Sequence, residues 1–142
     1  MTYTTLAALQ NRFGAATLVQ LTDRAPVPTG VVDVAVVNQE LGNADAVINA
    51  SLAVRYQLPL ATVPVAVADL ALAIAIYKLH PFDPAQKIKD DYAQALRDLK
   101  ELSQGTKKLD VAGAEPATAD TGGVVTSDRA RDLTPDNLHG FI

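Results

Sequence analysis

Acid–base or metal chemistry in this 142-residue chain would have to start from its two histidines, His80 and His139. A catalytic constellation needs a nucleophile, a base and a stabilising group in register. His80 sits beside Pro81 and Asp83 at the end of an apolar run, the setting of a helix-end or surface residue rather than a base. His139 lies three residues from the last residue, far from any element that could hold it rigidly. Asp90 and Asp91 are adjacent, so on a helix they diverge by roughly 100° and form no carboxylate pair. No two histidines share a helical turn, and no run of alternating acids surrounds a central glycine, so neither a zinc nor a calcium site is expected. Gly122 and Gly123 are not followed by a Lys-Ser/Thr pair, which removes a phosphate loop. The chain holds no cysteine, so disulfides, thiolate catalysis and Cys-based metal sites are excluded. No cofactor, no metal and no enzymatic activity are expected.

Asp69 is the exception to its surroundings, a carboxylate in the middle of an apolar segment that must be paired or face water. We read it as a polar seam or channel position.

The elements that would carry these residues are helical. Thr4 or Thr5 can cap a short helix bearing Leu6, Leu9 and Phe13, stopped by Gly14. A second short helix is expected over about 15–21, and the prolines at 26 and 28 with Gly30 mark a loop. From the plausible cap Asp33, the residues Val37, Leu41, Ala44, Ile48, Leu52 and Tyr56 recur at helical spacing, which predicts a helix over 33–56. Pro59 then favours an extended link. Pro64 opens a helix to Leu79 that is apolar all round, so it should be enclosed, with neighbouring subunits supplying some of the cover. Its apolar run is interrupted by Asp69 and falls short of the roughly 20 residues a membrane span needs. Asp83 as cap and Pro84 as first residue predict a last helix to 104, with Ile88, Tyr92, Ala95, Leu99 and Leu102 on one face and Gly105 as stop. The fold class is mainly α: a small helical bundle over 1–105, followed over 106–142 by an extended C-terminal arm with a short apolar tip.

That arm is rich in Ala, Gly, Thr and Asp until its last ten residues, where Leu133, Leu138, Phe141 and Ile142 return as apolar anchors suited to binding a partner, the alternative being a tip that folds back onto its own domain. With 49% hydrophobic but only 5% aromatic residues, the core must be built from small side chains that pack closely or meet other subunits. The net charge of −4 and the absence of a basic cluster argue against gripping a nucleic-acid backbone. The opening residues lack a charged stretch followed by an apolar one, so no signal peptide is expected.

The order of several short motifs resembles the small structural proteins of Mu-like phages and prophages. They are TTLAALQNRFG at 4–14, LVQLTDR at 18–24, Ala44, Asp45 and Ala46 with Ile48, RYQLPL at 55–60, and Val63 with Pro64. Tyr92, Ala95, Leu96, Leu99 and Gly105, and LHGF at 138–141, continue the likeness over nearly the whole chain. One departure is the stretch 25–28, Ala-Pro-Val-Pro, where relatives often carry an acidic, Gly-rich segment; no ion-binding role passes to it.

The resemblance implies a head–tail connector (adaptor) subunit. Twelve copies would form a ring beneath the portal protein, around the DNA channel, with a tail-proximal neck protein (stopper or tail terminator) below. DNA would be met only by passage, and no membrane is involved. The protein would assemble in the host cytoplasm and reside in the virion neck. The arm would reach the portal or a neighbouring subunit. Rival readings are another neck or tail-completion protein, or a small non-virion regulatory or DNA-binding protein.

Overall fold

The computed structural model describes residues 2–109, and these form five helices: α1 (Leu6–Phe13), α2 (Ala15–Thr22), α3 (Val34–Leu52), α4 (Val65–Leu79) and α5 (Gln86–Gln104). No strand occurs among the described residues. The mainly α fold class is as the sequence implied.

Local chemistry sets most boundaries. Thr5 caps α1, its Oγ1 accepting from the Ala8 amide at 3.3 Å. Gly14, at φ +87°, ends α1 and starts α2 in a backbone conformation that a side chain would strain. The Asp33 Oδ1 accepts from the Ala35 and Val36 amides at 2.9 and 3.2 Å, satisfying two first-turn donors of α3. Between α2 and α3, Asp23 Oδ2 accepts from the amides of Thr29 and Gly30 at 2.7 and 2.8 Å. The Gly30 bond is the largest of several that hold this carboxyl below its ordinary range. Thr22 links the two ends of the loop: its Oγ1 donates to the Leu18 carbonyl and accepts from the Asp33 amide.

Two helix limits differ from the sequence reading. The expected helix over 33–56 stops at Leu52: beyond it the Arg55 amide bonds the Leu52 carbonyl only three residues back, at 3.0 Å, and shares that carbonyl with the Tyr56 amide at 2.8 Å, which breaks the regular four-residue ladder. Tyr56 nevertheless stays in the core, its Oη accepting from the Leu109 amide at 3.2 Å. The periodic face outlasts the helix that carries it. At the other break, α5 begins at Gln86 rather than at Pro84. Asp83 does not cap it; its carboxylate instead pairs with Lys89 Nζ at 2.7 Å, and Ala85, with ψ 148°, keeps the chain extended.

Side-chain contacts fix the helix directions. Arg24 Nη2 donates to the Leu79 carbonyl, and Arg24 also lies beside Ala35 and Val36, so the end of α4 meets the start of α3. Leu109 and Tyr56 meet at the opposite end. The Tyr77 and Tyr92 rings stack with centroids 4.0 Å apart, pairing the late part of α4 with the early part of α5. Helices α3, α4 and α5 therefore run up, down and up, with α1 and α2 against the side.

The core lies between them. Val37, Leu41, Ile48 and Leu52 of α3 face Val67, Ala71, Ile74 and Ala75 of α4, and Ala95, Leu99 and Leu102 of α5 close the other side. Alanines 44, 71, 75 and 95 are all buried, which lets the helix axes approach closely without voids. Helix α4 packs against α3, α5 and α1, and this explains its unsided apolar sequence. Its cover comes largely from its own chain; the exception is its first turn, where Val65 is 81% exposed.

Candidate functional site

Asp69 lies on the outer surface of α4, with its side chain 62% exposed, and pairs with Arg12 Nη1 at 2.8 Å. The pair ties α1 to α4 across solvent. Leu133, Leu138, Phe141 and Ile142 lie outside the described residues, as do His139 and the Gly122–Gly123 pair.

The other titratable residues singled out in the sequence are occupied structurally. His80 Nδ1 is 2.7 Å from the Ile76 carbonyl at the end of α4. Asp91 takes Lys87 Nζ at 3.0 Å, and Asp90 takes Gln86 Nε2 at 2.9 Å, each on its own side of α5. The structure does not bring these residues together. Among the described residues no group of three or more His, Cys, Asp or Glu could hold a metal ion. No helix there is long and apolar enough to cross a membrane.

What the fold does assemble is a pair of apolar ends and a groove. Val54 and Val65 are exposed where α3 finishes and α4 starts. Val27, Val31, Val34 and Phe82 are exposed at the opposite end, Phe82 by 84%. The sequence reading missed these ends because no periodicity marks a residue that belongs to a link or a first turn.

The groove, of about 370 Å³, runs between the first half of α4 and the last half of α5. Ala66, Leu70, Leu102 and Leu109 supply its apolar wall, and Asp69, Asp98, Lys107 and Lys108 its rim. The rim is internally compensated. Lys107 Nζ reaches Asp98 at 2.6 Å and Glu101 at 2.8 Å, bonds that raise its own pKa, and its bond to Asp98 lowers the Asp98 carboxyl. Gly105 directs the chain there: in the left-handed region at φ +78°, it turns the backbone so that the amides of Thr106 and Lys107 bond the Glu101 carbonyl.

A second cluster fastens the N-terminal residues. The Tyr3 amide donates to Asp45 Oδ1 at 3.1 Å and its hydroxyl donates to Asn49 Oδ1. Asp45 is only 8% exposed, and burial pushes its carboxyl above the ordinary range. In the sequence Asp45 reads as one more polar residue of a mixed face; only the return of Tyr3, 42 residues away, makes it a buried acceptor.

Charge is also partitioned in a way the whole-chain total hides. Residues 2–109 carry ten Lys or Arg and ten Asp or Glu, whereas residues 110–142 carry six acids against Arg129 and Arg131. The body is neutral, and the net −4 belongs to the segment that follows it.

Comparison with known proteins places this architecture. The family model described as Bacteriophage Mu, Gp36 matches residues 3–127, which takes in Tyr3, all five helices and the groove. Gene product J of Escherichia phage Mu is 34% identical over 119 residues, an alignment spanning 84% of this chain and 82% of that protein. A match of that extent, over a body whose helices and turns all fall inside it, shows that the chain belongs to the phage Mu Gp36 family.

Proposed function

We propose that this chain is a non-enzymatic structural subunit of the virion neck, an adaptor that forms a ring between portal and tail around the DNA channel. The observation that carries the reading is the exposure of large apolar side chains at both ends of the helical body, Val54 and Val65 at one and Val27, Val31, Val34 and Phe82 at the other. Large apolar side chains left in water at the ends of a body suit protein–protein contact. A subunit held between two protein layers needs such a contact at each end, and membership of a phage family makes a virion the natural setting for it.

In this reading the self-association is a ring of twelve copies, the portal protein lies on one side, and a stopper or tail terminator lies on the other. Leu133, Leu138, Phe141 and Ile142 are the anchors of the arm on its partner, and Asp69 with Arg12 sits on a seam between subunits or on the channel wall. DNA passes and is not gripped: the cations of the body are interleaved with acids, and four of them are held in ion pairs with those acids. A regulatory protein that binds duplex DNA would instead present a basic face. The helical make-up of the body favours an adaptor over a tail terminator, for which mixed α/β structure is the expectation.

The test is solution mass by light scattering, for the protein alone and mixed with the portal protein of the same phage. A stable mass corresponding to portal plus a ring supports the adaptor. A protein that ignores the portal at all concentrations overturns it.

A further inference from the structure

Among the described residues, the groove between α4 and α5 lies where the chain leaves the body. Leu109 forms part of its wall while its amide is fixed to Tyr56 Oη. Its rim charges are already neutralised by Arg12 and Lys107, so a charged occupant gains little there, whereas an apolar one removes Ala66 and Leu70 from water.

We propose that in the free subunit this groove seats the apolar tip of the same chain, residues 133–142. The sequence between restricts the choice: residues 110–132 offer three valines and no larger apolar side chain, so Leu133, Leu138, Phe141 and Ile142 are the first groups that could fill the cavity. Reach is not limiting, since 23 residues lie between Leu109 and Leu133 and an extended chain over those steps spans about 80 Å. A tether of this kind holds the tip at an effective concentration in the mM range, well above that of a second subunit in dilute solution. The seat is a property of the subunit before assembly and holds whether or not the arm later meets a portal.

The cysteine-free sequence makes the test clean. Ala66→Cys places one thiol on the exposed lip of the groove, and Gly140→Cys places a second inside the tip while leaving all four anchors intact. Under mild oxidation of dilute protein, the pair should form a disulfide within one chain, seen as a fast-migrating monomer on a non-reducing gel. Its rate should exceed that of a Val54→Cys/Gly140→Cys control, on the same end of the body but outside the groove, by roughly tenfold or more. Cross-linked dimers in place of the monomer band would assign the groove to a second copy and overturn the proposal. Equal rates for the two pairs would leave the groove without the tip and overturn it as well. Hydrogen exchange on the unmodified chain gives an independent reading: deleting residues 133–142 should speed exchange around Leu70 and Leu102 while circular dichroism retains the helices. Unchanged exchange would refute the seat. Neither readout involves the portal, so failure here is distinct from failure of the adaptor assignment.

Discussion

Replacing Gly105 by alanine should damage this protein in two separable ways. The first is backbone: at φ +78° an alanine pays the left-handed penalty, about 1 kcal/mol or a little more. The second is steric. A Cβ at Gly105 would collide with the Arg55 guanidinium, lying 2.7 Å from Cζ and closer still to Nη1, so Arg55 must leave its seat beneath the turn. Displacing this half-buried charged group from the interactions it makes there costs about 1–3 kcal/mol. The single variant should therefore lose about 2–4 kcal/mol, equivalent to a fall in Tm of order 10–20 °C for a body of this size. The assay is urea unfolding followed by circular dichroism, run as a double-mutant cycle with Arg55→Ala. In the Arg55→Ala background, Gly105→Ala should cost only the backbone part, about 1 kcal/mol, leaving a coupling of about 1–3 kcal/mol. Gly105→Asn sharpens the distinction: asparagine tolerates the left-handed region but brings the same Cβ, so it should stay destabilising beside Arg55 and become nearly neutral without it. Equal costs for Gly105→Ala in both backgrounds would refute the reasoning, since they would mean that the guanidinium does not occupy the space under the turn.

Three further outcomes are expected. Asp45→Asn keeps an oxygen to accept from the Tyr3 amide but removes a buried charge. Because the folded carboxyl titrates above its unfolded value, wild-type stability is intact below the unfolded pKa and falls as pH rises through the folded one. The variant should thus melt higher than wild type at neutral pH and converge with it in acid; a gap that grows on acidification would contradict this. Leu99→Ala, in the fully buried centre of α5, should cost about 2–5 kcal/mol in urea unfolding, whereas Leu96→Ala one turn away on the exposed side should cost far less. Asp69→Ala breaks an exposed ion pair and should change stability by no more than about 1 kcal/mol. If the same substitution lowers the mass of the proposed ring, measured by light scattering, Asp69 belongs to a subunit seam.

Much of the body follows from short-range rules, and those parts are legible in the chain. Asp33 caps α3 and Gly105 ends α5 because capping joins residues at most a few positions apart. The face Val37, Leu41, Ala44, Ile48, Leu52 is buried as its period requires, and most of the largely apolar α4 is enclosed as its composition requires. The resemblance to Mu-like phage proteins rests on the same local motifs. Tertiary structure decided whatever depends on groups far apart in sequence. Asp83 looks like a cap until Lys89 offers it a better partner, and the periodicity through Tyr56 hides a helix end set by the turn onto Leu52. Asp45 becomes a buried acceptor only when Tyr3 folds across it, and Arg55 dictates glycine at position 105 from 50 residues away. The groove exists only because the up–down–up arrangement brings the start of α4 beside the end of α5. The physical reason is one of range: periodicity and capping report each helix's relation to itself and to water, while pairing and cavities are set by which surfaces meet when the helices pack.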